Sequence, residues 1–225
     1  MGGLNILITA GGTEEPIDGV RRLVNTSTGA TGLAIANTLR ERGANVFLLH
    51  SARVDAGGFA GETGSFLSFD ELAGSLQRLL GERNFDAIIH LAAVSDYRLA
   101  SIEVDGVPVE TARRGKIGSG HELLLRMAPN PKLIDSLRSW STNPGLKVVG
   151  FKLTDEAEPA LRLSQVQSLL HRGVADFVVH NDISEIGKNH HVAAVFSKHG
   201  VIGKTRNKTE LAGALYELLA AGETA

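Results

Sequence analysis

Leu4-Asn5-Ile6-Leu7-Ile8-Thr9-Ala10-Gly11-Gly12 is a short, mostly apolar run that stops on two glycines, and its reading decides the fold. A run of this length, closed by glycine, predicts a β-strand. The next segment, over about residues 32–42, has helical spacing and is stopped by Gly43. It leads to a second strand, Asn45-Val46-Phe47-Leu48-Leu49-His50. Strand, glycine turn, helix and strand in that order make a parallel βαβ unit. Further along, Phe66-Leu67-Ser68-Phe69 predicts a short third strand. Asp70 then predicts the N-cap of a helix whose Leu72, Leu76, Leu79 and Leu80 share one face. Ala87-Ile88-Ile89-His90-Leu91-Ala92-Ala93 is nearly all apolar, as a central strand covered on both faces must be. Lys147-Val148-Val149-Gly150-Phe151 and Asp176-Phe177-Val178-Val179-His180-Asn181 add two buried strands around a helical stretch over residues 156–172. Residues 192–203 read as a β-hairpin, and Asn207 as the cap of a last helix. The expected fold is α/β, a Rossmann-like, mainly parallel sheet flanked by helices, in a single domain over residues 1–225.

Two stretches interrupt that rhythm. Residues 11–31 carry no strong period and are far longer than the roughly 2–6 residues of an ordinary strand-to-helix loop. Residues 97–130 hold a possible hairpin around Asp105-Gly106, the run Arg113-Arg114-Gly115-Lys116 and a possible strand at 122–127. The second is expected to form a small β-hairpin or flap elaboration, with a flexible flap at about 99–121. Both follow strand C-termini, where ligands collect in open α/β sheets.

Composition narrows the function. The 225 residues are 43% hydrophobic and 5% aromatic, with 23 Lys+Arg against 25 Asp+Glu and a formal charge of −2. That is enough apolar mass for a sizeable core, and no broad basic face for nucleic acid. There is no cysteine, which excludes disulfides, thiolate metal sites and a cysteine nucleophile. No run approaches the roughly 18 apolar residues of a membrane span, and no signal-type leader is visible. A cytoplasmic protein with neither nucleic acid nor membrane as partner is expected.

The motifs point to an anionic ligand. Gly11-Gly12-Thr13-Glu14-Glu15-Pro16 lacks the G-x-G-x-x-G dinucleotide fingerprint, and the second strand ends in His50-Ser51 where a ribose-binding acid would stand. Val24-Asn25-Thr26-Ser27-Thr28-Gly29-Ala30-Thr31-Gly32 places hydroxyls, glycines and a neutral amide before a helix. That suits an anion, although one such hydroxyl is also an ordinary N-cap. In Ala92-Ala93-Val94-Ser95-Asp96-Tyr97-Arg98 the small residues admit a planar ring. Asp96 reads as a holder of Mg²⁺ or of a ligand's polar group, or else as a helix cap or partner of Arg98. Lys116 reads as a cation able to close over phosphates, or as part of a solvated basic loop. Tyr97 has Ser101 rather than lysine at the fourth position, so a short-chain dehydrogenase is excluded. Gly203-Lys204-Thr205 has Lys198 where a P-loop begins with glycine, and His190-His191 lack a third ligand at metal spacing.

These segments together resemble the phosphopantothenate–cysteine ligase family, also called phosphopantothenoylcysteine synthetases, of coenzyme A biosynthesis. The matching blocks are Ile8 to Thr13 with Val20-Arg21-Arg22 and Asn25 to Gly32; Ala92 to Arg98; Lys116-Ile117; Asn130-Pro131-Lys132; Val149-Gly150-Phe151; and Ala175-Asp176 with Asn181-Asp182. They span the chain in the family's order, and with nothing preceding them the stand-alone bacterial form, whose relatives use CTP, is the one resembled. The resemblance implies a two-step ligation. The carboxylate of 4′-phosphopantothenate attacks the α-phosphate of CTP to give an acyl-cytidylate and pyrophosphate, and the amine of L-cysteine then displaces CMP.

It also implies roles. Asn25 and Lys116 are catalytic, Asn25 at the acyl-cytidylate and Lys116 on the triphosphate. Gly11, Gly12, Ser27, Ala92, Ala93, Val94, Asp96, Lys116, Asn130, Pro131 and Phe151 bind nucleotide. Arg21 and Asn25 bind substrate, and Mg²⁺ rides on the phosphates near Asp96. A homodimer with shared active sites is implied as well. Two departures stand out: Lys116-Ile117-Gly118-Ser119 replaces a lysine-rich run, and Gly173 stands where a late-helix basic residue is expected, beside His171 and Arg172. A non-catalytic NAD(P)- or nucleotide-binding module is the alternative, resting on the α/β pattern alone.

Overall fold

The computed structural model describes residues 3–110, 115–155, 158–185 and 192–221, less the side chains of residues 159–162. In chain order the elements are β1 (Asn5–Ala10), β2 (Glu14–Pro16), β3 (Arg22–Val24), α1 (Ala30–Glu41), β4 (Asn45–Ser51), β5 (Glu62–Phe66), α2 (Phe69–Glu82) and β6 (Ala87–His90). There follow β7 (Tyr97–Val104), β8 (Val107–Val109), β9 (Leu123–Pro129), α3 (Leu137–Trp140), β10 (Lys147–Thr154), α4 (Pro159–His171), β11 (Phe177–Asp182), β12 (Ala193–Ser197), β13 (Gly200–Thr205) and α5 (Lys208–Ala220).

Eight strands form one sheet in the order β13-β12-β11-β10-β6-β1-β4-β5. It is parallel from β5 to β11, and the β12–β13 hairpin adds two antiparallel pairings at that edge, with β12 alone running against the rest. This is the Rossmann-like α/β fold expected. Strand periodicity sorts the core. Ile6, Ile8 and Ala10 face a cluster with Ile35, Leu39, Leu211 and Leu215 of α1 and α5. Leu7, Ile88 and Val148 face the other cluster, with Leu72, Leu76 and Leu80 of α2. Each such leucine, wholly enclosed, is worth about 1.5–3 kcal/mol of apolar burial.

The order in which strands are added reverses at β1. From there α1 leads outward to β4 and β5, whereas β6, β10 and β11 extend the other way. The crevice of the sheet therefore opens between the C-terminal ends of β1 and β6. The two strand ends stay bonded past their last ladder pairs, with Ala93 N donating to Gly11 O at 2.8 Å and Thr13 N to Ala93 O at 3.1 Å. Helix α1 presses close to β1 here, since a Cβ on Gly32 would stand 2.6 Å from that of Ala10.

Two local expectations need correction. The third strand is Glu62–Phe66, not residues 66–69, and the cap of α2 is Ser68, whose hydroxyl accepts from Glu71 N, rather than Asp70. Residues 11–31 contain a two-stranded antiparallel ribbon, β2 with β3. Residues 97–130 form a three-stranded antiparallel arm, β8-β7-β9, in which the 99–121 flap is embedded, with Asp105-Gly106 turning β7 into β8. Within that flap residues 111–114, and with them Arg113 and Arg114, lie outside the described residues, as do His190 and His191. The arm has its own small core of Ile17, Ile102 and Ile117.

Candidate active site

Two adjoining clefts lie over the C-terminal edge of the sheet. The first, of about 550 Å³, runs from Gly11 along the start of α1 to Phe151 and Asn181. The second, of about 530 Å³, lies on the other side, between the segment after β6, the residues following Asn130, and α4. Both are lined by Ala92, Val94, Phe151 and Lys152, so they form one continuous depression with a waist at Ala92–Val94. Each has the size of a small-molecule site.

The segment entering α1 is arranged to leave donors free. The N-cap is Gly29, in the left-handed conformation with φ of 70°, and no side chain caps the helix. Only Thr28 Oγ1 comes near, receiving Ala30 N at 3.4 Å. The hydroxyls of Thr26 and Ser27 and the first amides of α1 thus line the first cleft without a capping role, an arrangement that attracts anions. An N-cap explains none of these hydroxyls.

Gly11, Ser27 and Ala93 line the first cleft, Asp96 and Pro131 the second, and Ala92, Val94 and Phe151 both. Five other residues named from the sequence line neither. A Cβ on Gly12 would stand 1.9 Å from the carbonyl oxygen of Asn25, so Gly12 lets the two loops touch. Asn25 N donates to Thr13 O at 3.0 Å, and its side-chain amide has no partner among the described residues. Asn130 is buried and braces the turn after β6, its Nδ2 donating to Ser95 O at 3.1 Å and its N to Asp96 O at 2.8 Å.

Arg21 and Lys116 belong to the root of the arm. The enclosed Asp18 carboxylate accepts from Val20 N, Arg21 N, Arg21 Nη1 and Ile117 N, at 2.7–3.0 Å. The same Arg21 nitrogen donates to Ile117 O at 3.2 Å. These bonds, led by that from Ile117 N, hold the Asp18 carboxyl well below the usual carboxylate range. Both polar groups of the Ile117 backbone are thereby clamped, while the adjacent Lys116 stands exposed with no ion-pair partner among the described residues.

Several cleft residues escaped the sequence reading. Lys132 reaches Asp96 at 2.5 Å, and Lys152 stands at the waist. Arg172 enters the second cleft and pairs with Asp135, so the cation sought at Gly173 is supplied one residue earlier. Gly173 instead ends α4 with φ of 67°. These cations around one exposed acid suit a polyphosphate. His90 lines the second cleft at its base; its signal was a polar residue closing an otherwise apolar strand. Burial pushes its imidazole down to about 4, so it is neutral near pH 7.

Among the described residues no helix is long and apolar enough to cross a membrane. Among the described residues no group of three or more histidine or acidic side chains could hold a metal ion by itself.

Residues 1–222 match the family described as the DNA/pantothenate metabolism flavoprotein C-terminal domain. The chain is 31% identical over 185 residues to the coenzyme A biosynthesis bifunctional protein CoaBC of Thermococcus kodakarensis, covering 82% of this chain and 43% of that protein. It is 30% identical over 193 residues to CoaBC of Escherichia coli K12, covering 81% and 42%. The chain therefore spans less than half the length of these relatives. A solved structure of the DNA/pantothenate metabolism flavoprotein from Streptococcus pneumoniae superposes with a TM-score of 0.83 at 28% identity, over 97% of this chain and 99% of that one.

Proposed function

This chain belongs to the DNA/pantothenate metabolism flavoprotein C-terminal domain family, and from that premise we propose that it joins 4′-phosphopantothenate to L-cysteine in coenzyme A biosynthesis, with CTP as the activating nucleotide. One observation carries the reading beyond the family: two ligand-sized clefts meet at Ala92–Val94, so a nucleotide in one can present its α-phosphorus to a carboxylate in the other. The relatives' name supports the pathway, since both are coenzyme A biosynthesis proteins.

The chemistry asks for positioning and charge stabilisation more than for a nucleophilic side chain. The pantothenate carboxylate forms a bond to the α-phosphorus of CTP and expels pyrophosphate. The cysteine amine then attacks the acyl carbon, loses a proton and expels CMP. Asn25, with an uncommitted amide that both donates and accepts, holds the acyl-cytidylate. The open amides of α1 and the hydroxyl of Ser27 receive phosphate oxygens. Lys116 brings a charge to the triphosphate from the arm.

Mg²⁺ bound by the triphosphate with Asp96 would neutralise phosphate charge. A homodimer fits the exposed apolar side chains along the arm and ribbon, Tyr97, Leu123, Leu124, Leu23 and Val24. In such a pair Lys116 would serve the second copy's site. A reaction fed by CTP implies a cytoplasmic enzyme.

The test is release of pyrophosphate with CTP, ATP, GTP and UTP in turn, with and without 4′-phosphopantothenate, in Mg²⁺. Release that requires phosphopantothenate, fastest with CTP, is expected, together with amide formation once cysteine is added. No release with any triphosphate, alongside tight NAD(P) binding, would favour the non-catalytic module.

A further inference from the structure

At the base of the second cleft β1 and β6 carry a buried polar pair. Thr9 and His90 are register partners, directly opposite each other on neighbouring strands. Thr9 is fully enclosed and His90 is 8% exposed. Thr9 Oγ1 accepts from Ala92 N at 3.1 Å and lies 2.9 Å from His90 Nδ1. A hydroxyl has one proton to give, and no other acceptor for it lies within hydrogen-bond distance among the described residues. Were Nδ1 protonated, that hydroxyl proton would be buried without a partner, at a cost of about 1–3 kcal/mol. The network therefore assigns Thr9 as donor to Nδ1 and places the ring's proton on Nε2.

Nε2 has no partner among the described residues, yet it is not one of the enclosed polar atoms left unsatisfied. It reaches the cleft that His90 lines. Leu133, Ile134, Phe151 and Leu169 give the cleft an apolar part, Ser95, Ser164, Gln165 and Ser168 a polar one, and Asp96, Lys132, Lys152 and Arg172 its charges. An uncharged N–H in a cleft that also offers apolar side chains matches the edge of a heterocycle rather than a phosphate, which the cations and the free end of α1 serve.

We propose that His90 is a specificity-determining residue whose Nε2–H, oriented by Thr9, donates to an acceptor atom on the base of the bound nucleotide. Thr9 acts through His90 and is a positioning residue. The inference rests on the nucleotide reading above and adds which cleft takes the base and which atom recognises it.

Substitution separates the two ring nitrogens. Asparagine can replace Nδ1 but does not reach as far as Nε2, whereas the glutamine amide does. Titrating CTP (or ATP, should that be the nucleotide the wild type takes) into His90→Asn is expected to show affinity weakened about 10-fold, the loss of one buried hydrogen bond. His90→Gln should stay within about threefold of wild type, and the KM for phosphopantothenate should hold in both. Equal affinity in the asparagine variant and wild type overturns the proposal. So does equal loss in both variants with matching falls in melting temperature, which marks a structural histidine.

A measurement on the unaltered protein needs no variant to fold. With ¹⁵N-labelled histidine, His90 should show the Nε2-protonated tautomer, and that proton should move on adding nucleotide. The Nδ1-protonated tautomer, or a signal that nucleotide leaves in place, overturns it. If the wild type binds no nucleotide at all, the broader reading fails and this one with it, an outcome distinct from normal binding that ignores His90.

Discussion

The body and the arm draw on the same amino acids but are held by different forces. In the body, β1, β6, β10 and β11 are covered on both faces and two large apolar clusters carry the stability. In the arm, Ile102 and Ile117 pack as buried side chains with Ile17 of the ribbon's turn, and a carboxylate clamp joins them at the root. At about 1.5–3 kcal/mol each, three such side chains contribute less than about 10 kcal/mol. Ordering the backbone costs roughly 1–2 kcal/mol per residue, so a segment over residues 97–129 depends on the body beneath it and on whatever covers its outer face. The contrast separates two tasks: the body is a preformed receptor, and the arm carries a charged group that can be repositioned.

Deleting equivalent apolar groups tests that contrast most strongly. Leu76 and Ile102 are both fully enclosed. Leu76→Ala is expected to lower global stability by about 2–5 kcal/mol, read from urea unfolding. Ile102→Ala should spare the main transition by comparison and instead speed amide exchange along β7 and β9, because the loss is local. Equal drops in global stability would mean that arm and body unfold as one unit, and the comparison would break.

Acid should act on the two regions in different pH windows. His90 has its pKa lowered from 6.5 to about 4, so between those values the unfolded chain binds more protons than the folded one. Its contribution is complete above about pH 6.5 and is lost as pH falls towards 4, about 3 kcal/mol in all. Asp18 is also lowered, but from 3.8, so the clamp holds through that window and fails only in stronger acid. Unfolding free energies at pH 7, 5.5 and 4.5 should therefore decline in wild type and stay flatter in His90→Gln. Parallel declines would place the titration elsewhere.

Activity distinguishes the regions next. Lys116→Gln should slow nucleotide activation roughly 100-fold, about 2.7 kcal/mol. The melting temperature should not move, since an exposed lysine without an ion-pair partner among the described residues has little packing to lose. Asn25→Asp, on the body side, should leave activation running and stall the second step, so that acyl-cytidylate accumulates. Stability loss without activity loss at Lys116 would return it to an ordinary basic loop.

Legibility followed the same division. Parallel strands buried on both faces must be apolar throughout, so β1, β4, β6, β10 and β11 stand out as runs. The ribbon's two strands have three residues each, with charged and glycine-rich neighbours, so it had no period to find, whereas in the arm the turn at Asp105-Gly106 and the strand β9 were legible. In the site, glycines and hydroxyls at strand ends were visible because their chemistry is local. Arg172 and Lys152 were not, because only the packing of α4 and β10 brings them to the waist. Asp18 was overlooked for the same reason: its partner Ile117 lies 99 positions away.

The cap of α2 is the smallest of these effects, and it isolates what a local signal is worth in the body. Ser68 Oγ accepts from Glu71 N at 3.2 Å, and Glu71 Oε2 reaches back to Leu67 N at 2.8 Å, a reciprocal pattern carried by Ser-x-x-Glu. Asp70, the cap expected from the sequence, instead lies in the first turn, where its charge meets the helix dipole and opposes that of Glu15. Ser68→Ala is therefore expected to cost about 1 kcal/mol and Asp70→Ala no more than a few tenths, both read as shifts in the urea midpoint at constant slope. Because α2 packs on the body and not on the arm, neither change should alter exchange in β7 or β9. An Asp70→Ala loss as large as that of Ser68→Ala would restore the cap to Asp70. Faster exchange in the arm of either variant would show that body and arm share their stability after all.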